Sequence, residues 1–195
     1  MSELQSLMNI FISAAFAQNF VFIRFLALCS FVGMTTSMEN AIGMGGAVTF
    51  VTVMASILSY VVYQFILVPL HLEYLQTIVF ILTIAVFVQL VEIYLKKAVP
   101  SLYKAMGIYL PLIATNCMIL AVALLNVTEN YNLLEATVFS FGASIGYVLA
   151  LVILAGIRER LKYVKIPSIL KGYPIIFFIA AFIAVAFMGL QGIAR

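Results

Sequence analysis

Two side chains in this sequence are suited to electron-transfer chemistry: the thiols of Cys29 and Cys117, the only cysteines in the chain. A cysteine among apolar residues most often only fills space. As thiolates, cysteines also bind metals, and an iron–sulfur cluster normally takes four of them, so a second subunit would supply the other two. A disulfide or a structural zinc site is a weaker alternative inside a membrane. The residue types alone leave space filling and cluster ligation both open.

Polar residues accompany each cysteine. Arg24 precedes Cys29 by five residues, and Thr115 and Asn116 directly precede Cys117. Polar side chains at membrane depth are costly and usually face the interior of a protein. Arg24 would either offset the negative charge of a thiolate-bound cluster or pair with an acidic residue on another helix. These three polar residues are therefore candidates for the surroundings of a metal centre.

The chain that carries these residues is strongly apolar. Hydrophobic residues make up 66% of its 195 residues, charged residues only 9%, and the mean hydropathy is +1.22. A soluble domain is about half apolar and about a quarter charged. The composition therefore predicts an integral membrane protein without a soluble domain, and nothing in it favours a nucleic-acid partner.

Six apolar runs are long enough to cross a bilayer, since a spanning helix needs about 20 residues. The runs are continuous and do not alternate, which favours helices over a β-barrel. We therefore predict an all-α integral membrane protein with six transmembrane helices. They are expected at about residues 7–32, 41–68, 75–95, 105–125, 133–157 and 173–193.

Basic residues are distributed unequally between the two faces that six spans create. The loops of one face hold eight of the ten Lys and Arg residues, whereas the loops around 68–74 and 126–132 hold none. By the positive-inside rule, the basic loops face the cytoplasm and both termini lie outside. The eight residues are Lys96, Lys97, Lys104, Arg158, Arg160, Lys162, Lys165 and Lys171.

Weak internal similarity divides the chain into two halves of three spans each, residues 1–100 and 101–195. Cys29 and Cys117 take similar places in the first span of each half. Because three is an odd number, the second half must enter the membrane from the opposite side. The sequence therefore predicts a single membrane domain built from two inverted three-helix repeats.

Both first spans contain residues that favour an interruption. Gln18, Asn19 and Gly33 lie in the first span, and Gly107 and Pro111 lie in the fourth. Proline removes a backbone donor and clashes with the preceding turn. In inverted-repeat folds the first helix of a repeat is often broken near the midplane, where the functional site lies. We expect both cysteines at such breaks.

Two further features have a plain structural explanation beside a functional one. Glu92 in the third span is a candidate for an ion path, but snorkelling towards water and Lys96 is the simpler explanation. Gly142 and Gly146 form a G-x-x-x-G pattern, which in an apolar helix indicates close helix packing.

Longer stretches of the sequence resemble the RnfA/NqrE family. Arg24–Gly33 resembles its R-F-L-x-x-C-P-F-L-G signature, Gly107–Cys117 its G-I-F-L-P-L-I-T-T-N-C, and Ala155–Arg160 its A-G-I-R-E-R. The resemblance covers essentially the whole chain. The end of the second stretch and Ala123–Asn126 are more similar to RnfA than to NqrE. One departure is Ser30, where the family usually has proline.

The resemblance implies a membrane subunit of the Rnf complex, an ion-translocating ferredoxin:NAD oxidoreductase of the prokaryotic inner membrane. In that family two homologous subunits of opposite orientation share one [2Fe-2S] cluster, and each supplies two cysteines. Carried over to this sequence, Cys29 and Cys117 are iron ligands that relay electrons across the membrane, with Na⁺ or H⁺ as the transported ion. The chain would not be catalytic alone. Its partners would be the inverted homologue, membrane lipid, and the Rnf subunits that carry flavins and iron–sulfur clusters.

No flavin is expected on this chain, because it lacks a covalent attachment motif of the Ser-Gly-Ala-Thr kind. Two other functions stay open at this point. One is the NqrE subunit of the Na⁺-translocating NADH:quinone reductase, with the same cysteine roles and different partners. The other is a secondary transporter, which inverted repeats and broken helices suit equally and in which the cysteines are incidental.

Overall fold

The computed structural model describes residues 2–17, 19–71, 73–98, 110–164 and 172–193, and every regular element within these ranges is a helix. The predicted all-α class is confirmed for this part of the chain. Several residues used above lie outside the described ranges. They are Gln18, residues 105–109 of the fourth predicted span with Gly107, and the basic residues Lys104, Lys165 and Lys171.

The α-helices are numbered in chain order, and short turns of other helix types extend some of them. A π-helical turn, Ser13–Ala17, continues the first helix, and another, Tyr63–Leu67, continues the third and leads into a last turn, Val68–Leu70. A 3₁₀ turn, Glu73–Leu75, precedes the fourth. The helices are α1 Ser2–Ile12, α2 Leu28–Met34, α3 Met38–Val62, α4 Gln76–Ala98, α5 Leu110–Ala114, α6 Cys117–Thr128, α7 Leu133–Leu161 and α8 Tyr173–Ile193.

Three helical segments among the described residues are long and apolar enough to cross a membrane: Met38–Leu67, Gln76–Ile93 and Leu133–Leu161. They match three of the six predicted spans. Leu112–Thr128 and Tyr173–Gly189 are shorter apolar helices. The arrangement of all six segments as two inverted repeats stays a prediction.

Apolar surface is left uncovered mainly on α4. Only 17% of its most apolar stretch is buried within the chain, against 61% for α7. The exposed side chains recur at helical spacing along one side of α4, as expected for a face that meets lipid or another subunit. They include Ile78, Ile81, Leu82, Val86, Leu90 and Ile93.

The chain forms two compact units, and the boundaries between them fall within α3 and α7. The first unit comprises residues 1–46 and 142–195. In it, Gly142 and Gly146 of α7 pack against the end of the first helical segment. A Cβ atom on Gly142 would lie 2.9 Å from the carbonyl oxygen of Phe11, and one on Gly146 would lie 2.6 Å from that of Ala15. The close helix packing predicted from the G-x-x-x-G pattern is therefore confirmed.

The second unit comprises residues 47–141, in which α4 packs against α5 and α6. Buried hydroxyl and amide groups connect three of its helices. The amide nitrogen of Asn126 on α6 donates to Ser56 Oγ on α3 at 2.8 Å and to Ser140 Oγ on α7 at 3.4 Å. Such bonds between helices are the usual way in which membrane proteins satisfy polar side chains away from water.

Candidate functional site

Each cysteine lies in the first turn of a helix that follows an interruption of the chain. Cys29 is the second residue of α2, and Cys117 is the first residue of α6. Both are free thiols; Cys29 is exposed on the isolated chain and Cys117 is half-buried. Cys29 belongs to the first compact unit and Cys117 to the second. The interruption that the sequence predicts in each segment is therefore present, and a cysteine follows directly after it.

The first interruption is stabilised by Asn19, whose side chain is fully buried. Its Oδ1 accepts from the backbone N–H of Val21 at 3.1 Å and from that of Phe22 at 3.4 Å. Its Nδ2 donates to the carbonyl oxygen of Gly146 at 2.9 Å. One amide thus replaces backbone bonds that the broken helix lacks and connects the irregular segment to α7. Asn19 was predicted only as a helix-breaking residue, and its bond to Gly146 was not predicted.

The backbone just before α2 turns sharply, because Phe25 and Ala27 adopt left-handed conformations with φ of 53° and 62°. Non-glycine residues adopt this region at an energetic cost, so the surrounding packing must maintain it. Ser30 supports the turn. Its hydroxyl lies 3.0 Å from the carbonyl oxygen of Ala27 and 2.8 Å from the hydroxyl of the fully buried Tyr147.

The position of Ser30 also explains why serine can stand where the family usually has proline. The first bond within α2 runs from the N–H of Phe31 to the carbonyl oxygen of Ala27. Ser30 precedes that bond, so its own N–H has no partner within the helix, and proline would lose none there. Serine keeps the same start of the helix and adds a hydroxyl contact to Tyr147.

The C-terminal end of α2 is bound by Arg158, the arginine at the centre of the Ala155–Arg160 stretch. Its guanidinium donates to the carbonyl oxygen of Val32 at 2.9 Å and to the hydroxyl of Thr35 at 2.8 Å. The last carbonyls of a helix have no partner within it, and a basic side chain is well suited to them. The sequence indicated only a topological role for Arg158, whereas the structure shows that it holds the short helix that carries Cys29.

The second interruption is a single extended residue between α5 and α6. Asn116 has φ −71° and ψ 113°, and its side-chain oxygen accepts from the N–H of Met118 at 3.0 Å. Asparagine is among the best residues for this N-cap position. The cap starts α6 at Cys117, and Asn116 is buried while Thr115 is exposed. Of the two predicted neighbours of Cys117, Asn116 is the one with a defined structural role.

The remaining predicted residues lie on other parts of the fold. Arg24 is exposed in the irregular segment before α2, with its guanidinium carbon 5.7 Å from the centre of the Phe20 ring. Contacts of this type are weakly favourable. Glu92 is half-buried on α4.

These features define a helical integral membrane protein in which two interrupted helices each present a cysteine. Residues 7–194 match the family described as Rnf-Nqr subunit, membrane protein. The match covers nearly the whole chain, so the chain belongs to the Rnf-Nqr family of membrane subunits.

Similar proteins share about half of their residues with this chain. One of them, from Acetobacterium woodii, is named for its place in a Na(+)-translocating ferredoxin:NAD(+) oxidoreductase complex and is 52% identical, covering 96% of this chain and 97% of that protein. The corresponding protein of an ion-translocating oxidoreductase complex from Methanosarcina acetivorans is 48% identical over 97% of this chain and 96% of its own length. That of a proton-translocating ferredoxin:NAD(+) oxidoreductase complex from Clostridium ljungdahlii is 46% identical, over 96% and 97% respectively.

Proposed function

We propose that this chain is a membrane subunit of an ion-translocating ferredoxin:NAD oxidoreductase complex of the Rnf type, and that Cys29 and Cys117 each bind iron of a shared [2Fe-2S] cluster. The observation that carries this proposal is the placement of each free thiol directly after a helix interruption. The names of relatives that are 46–52% identical over nearly the full length support the type of complex. The subunit is not catalytic alone.

The donor set fits such a cluster only if a second protein completes it. A [2Fe-2S] cluster is held by four thiolates, and this chain has two cysteines in all. Cys29 is exposed on the isolated chain, which leaves its sulfur accessible to a partner. The proposed partner is a homologous membrane subunit of opposite orientation. A cluster bound in this way supplies a one-electron relay between redox groups on the two sides of the membrane.

The residues around the cysteines favour thiolates over thiols. Cys117 is the first residue of a helix of 12 residues, and the N-terminal end of a helix lowers the free energy of a nearby negative charge. The Asn116 cap holds this helix end in place. Arg24, five residues before Cys29, adds a positive charge on the same segment. We propose that Arg24, Thr115 and Asn116 surround the bound group without ligating iron.

Six membrane spans in two inverted repeats, residues 1–100 and 101–195, complete the proposed architecture. The basic loops would face the cytoplasm of a prokaryotic cell, and both termini would lie on the outer side of the inner membrane. The eight basic residues on one face and the absence of any on the other support this orientation. Glu92 is proposed to contribute to the path of the transported ion, Na⁺ or H⁺, because a carboxylate within a spanning helix is costly without a function.

An NqrE-type subunit is the second candidate, since the family includes both types and the cysteines would have the same role. The names of the relatives above favour the Rnf type. A secondary transporter would not need either cysteine.

The test is to replace each cysteine in the assembled complex. We expect Cys29→Ala and Cys117→Ala each to lower bound iron by about two atoms per complex, because no other cysteine of the chain can take over. Ferredoxin-dependent NAD reduction and ion transport should fail together. Thr128→Ala, at the exposed end of the same helix as Cys117, is the control and should leave iron and activity normal. A fully assembled Cys117→Ala complex with normal iron and normal ion transport would reject the ligand role.

A further inference from the structure

A cavity of about 200 Å³ in the second compact unit contains an unusual number of uncharged oxygen atoms. It lies among the C-terminal end of α3, the end of α6 and the connection that leads into α7. Buried residues form its inner part and exposed residues its rim, so the cavity opens at the surface of the unit. The lining residues used below are Ser56, Ser59, Gln64, Asn126, Tyr131 and Asn132.

The hydrogen bonds around Asn126 fix the orientation of its amide. Ser56 and Ser140 both direct their hydroxyl protons to the carbonyl oxygen of Ala136, at 3.4 Å and 2.6 Å. Each hydroxyl oxygen can then only accept, so the NH₂ group of Asn126 must face them, as its bonds of 2.8 Å and 3.4 Å show. The side-chain oxygen of Asn126 therefore points away from this network.

Two oxygen atoms at the cavity are left without a hydrogen-bond partner within the described part of the chain. They are Oδ1 of Asn126 and Oγ of Ser59, and their residues are only 5% and 2% exposed. A buried oxygen without a partner costs about 1–3 kcal/mol, so such atoms are expected to meet water or an ion. A cavity of about 200 Å³ has room for an ion together with several waters, because one water needs only about 10–15 Å³.

The charge around the cavity favours a cation over an anion. Among the described residues that line it, none is Lys, Arg or His. Burial, and then the negative charges of Glu129 and Glu135, raise the pKa of Tyr131 at the rim, so both carboxylates act on this opening. The inner oxygens themselves carry no formal charge. Divalent cations prefer carboxylate ligands, so neutral oxygens are better matched to a monovalent ion.

We propose that this cavity is a binding site for a partly hydrated alkali-metal cation, with Asn126 Oδ1 and Ser59 Oγ as its protein ligands. The ion would enter or leave past Tyr131 and Asn132. The connection 129–132 belongs to the face without basic residues, so the site would lie on the outer side of the membrane. The proposal rests on the proposed ion transport, for which it names an outer binding site.

The experiment measures Na⁺ binding to the resting complex, in the absence of ferredoxin and NAD, so that electron transfer plays no part. The probe is ²²Na⁺ in choline chloride at constant ionic strength. Ser59→Ala removes one proposed ligand without removing a hydrogen bond, and we expect it to weaken one saturable site about threefold to tenfold. Thr83→Val removes a hydroxyl from the same unit outside the cavity and should leave binding unchanged.

Asn126→Asp provides a second test if Ser59→Ala fails to assemble. It places a full negative charge where the proposal has a neutral ligand, so Na⁺ should bind about tenfold more tightly or better. Na⁺ binding that is the same in wild type, Ser59→Ala and Asn126→Asp would overturn the proposal and leave a cavity that holds water only. Loss of iron in the cysteine variants is measured separately, so failure of this site would leave the proposed function intact.

Discussion

The guanidinium of Arg158 donates a hydrogen bond of 2.9 Å to the carbonyl oxygen of Val32. Arg158 lies near the end of α7, and Val32 lies in the last turn of α2, the seven-residue helix that contains Cys29. A helix this short is not stable by itself and depends on tertiary contacts. The position of Cys29 is therefore coupled to a side chain more than 120 residues later in the sequence.

The first prediction follows from this bond. Arg158→Met removes the donors to Val32 and Thr35, and we expect the free energy of unfolding of the first unit to fall by about 1.5–3 kcal/mol. Iron content should fall as well, because α2 would no longer hold Cys29 in one place. Thermal unfolding and iron analysis of the purified complex measure both effects. Arg160→Met, at an exposed position nearby, is the control; equal behaviour of the two variants would contradict the role of Arg158.

The second prediction concerns the packing of Gly146. A Cβ atom there would lie 2.6 Å from the carbonyl oxygen of Ala15, and backbone cannot move aside easily. Gly146→Ala should therefore destabilise the protein by about 1–3 kcal/mol, measured by thermal unfolding in detergent. Gly43→Ala is the matched control, since nothing lies within 4 Å of the added methyl group. It should gain about 0.5–1 kcal/mol, and a similar loss in both variants would show that the contact is unimportant.

The third prediction concerns pH. Burial, and then Glu129 and Glu135, raise the pKa of Tyr131 above 10.0. A group whose pKa is raised by folding stabilises the folded state below the pKa of the unfolded chain, and this stabilisation is lost as the pH rises through the folded pKa. Glu129→Gln should lower the Tyr131 pKa towards 10.0, whereas Glu39→Gln on α3 should not change it.

NMR titration of tyrosines labelled with ¹³C, assigned with Tyr131→Phe, measures this pKa directly. An unchanged value in Glu129→Gln would show that the carboxylate does not act on the hydroxyl.

The fourth prediction concerns orientation in the membrane. Lys97→Cys and Lys162→Cys should be protected from an impermeant thiol reagent in intact cells, because the basic loops are expected in the cytoplasm. Glu129→Cys should react from outside under the same conditions. Permeabilised cells, in which all three should react, are the control. Labelling of Lys162→Cys from outside would reverse the proposed orientation and would also place the Asn126 cavity on the cytoplasmic side.

Several features of the fold and of the candidate site could be predicted from local sequence. Continuous apolar runs predict helices because backbone groups in lipid must be satisfied internally, and all described elements are helical. Asn116 before Cys117 is a recognisable helix start, since asparagine caps helices through a local bond. The first interruption was expected because its segment carries polar residues. In each case the interacting atoms are close in the sequence.

The roles of Arg158, Asn19 and Asn126 could not be predicted in the same way. Each donates to a partner on another helix: Val32 for Arg158, Gly146 for Asn19 and Ser56 for Asn126. An arginine in a basic loop indicates topology, and an asparagine indicates a break or a cap. Neither residue type specifies a distant partner.

The amino-acid sequence by itself therefore determined the membrane class, the helices, the two interruptions and the identity of the two thiols. These depend on composition and on contacts within a few residues. Only the tertiary structure decided what holds α2 in place, why Gly146 must lack a side chain, and which oxygens remain unpaired at the Asn126 cavity. Those properties depend on distances between helices, and a free hydrogen-bonding atom becomes apparent only when all neighbouring donors and acceptors have been assigned.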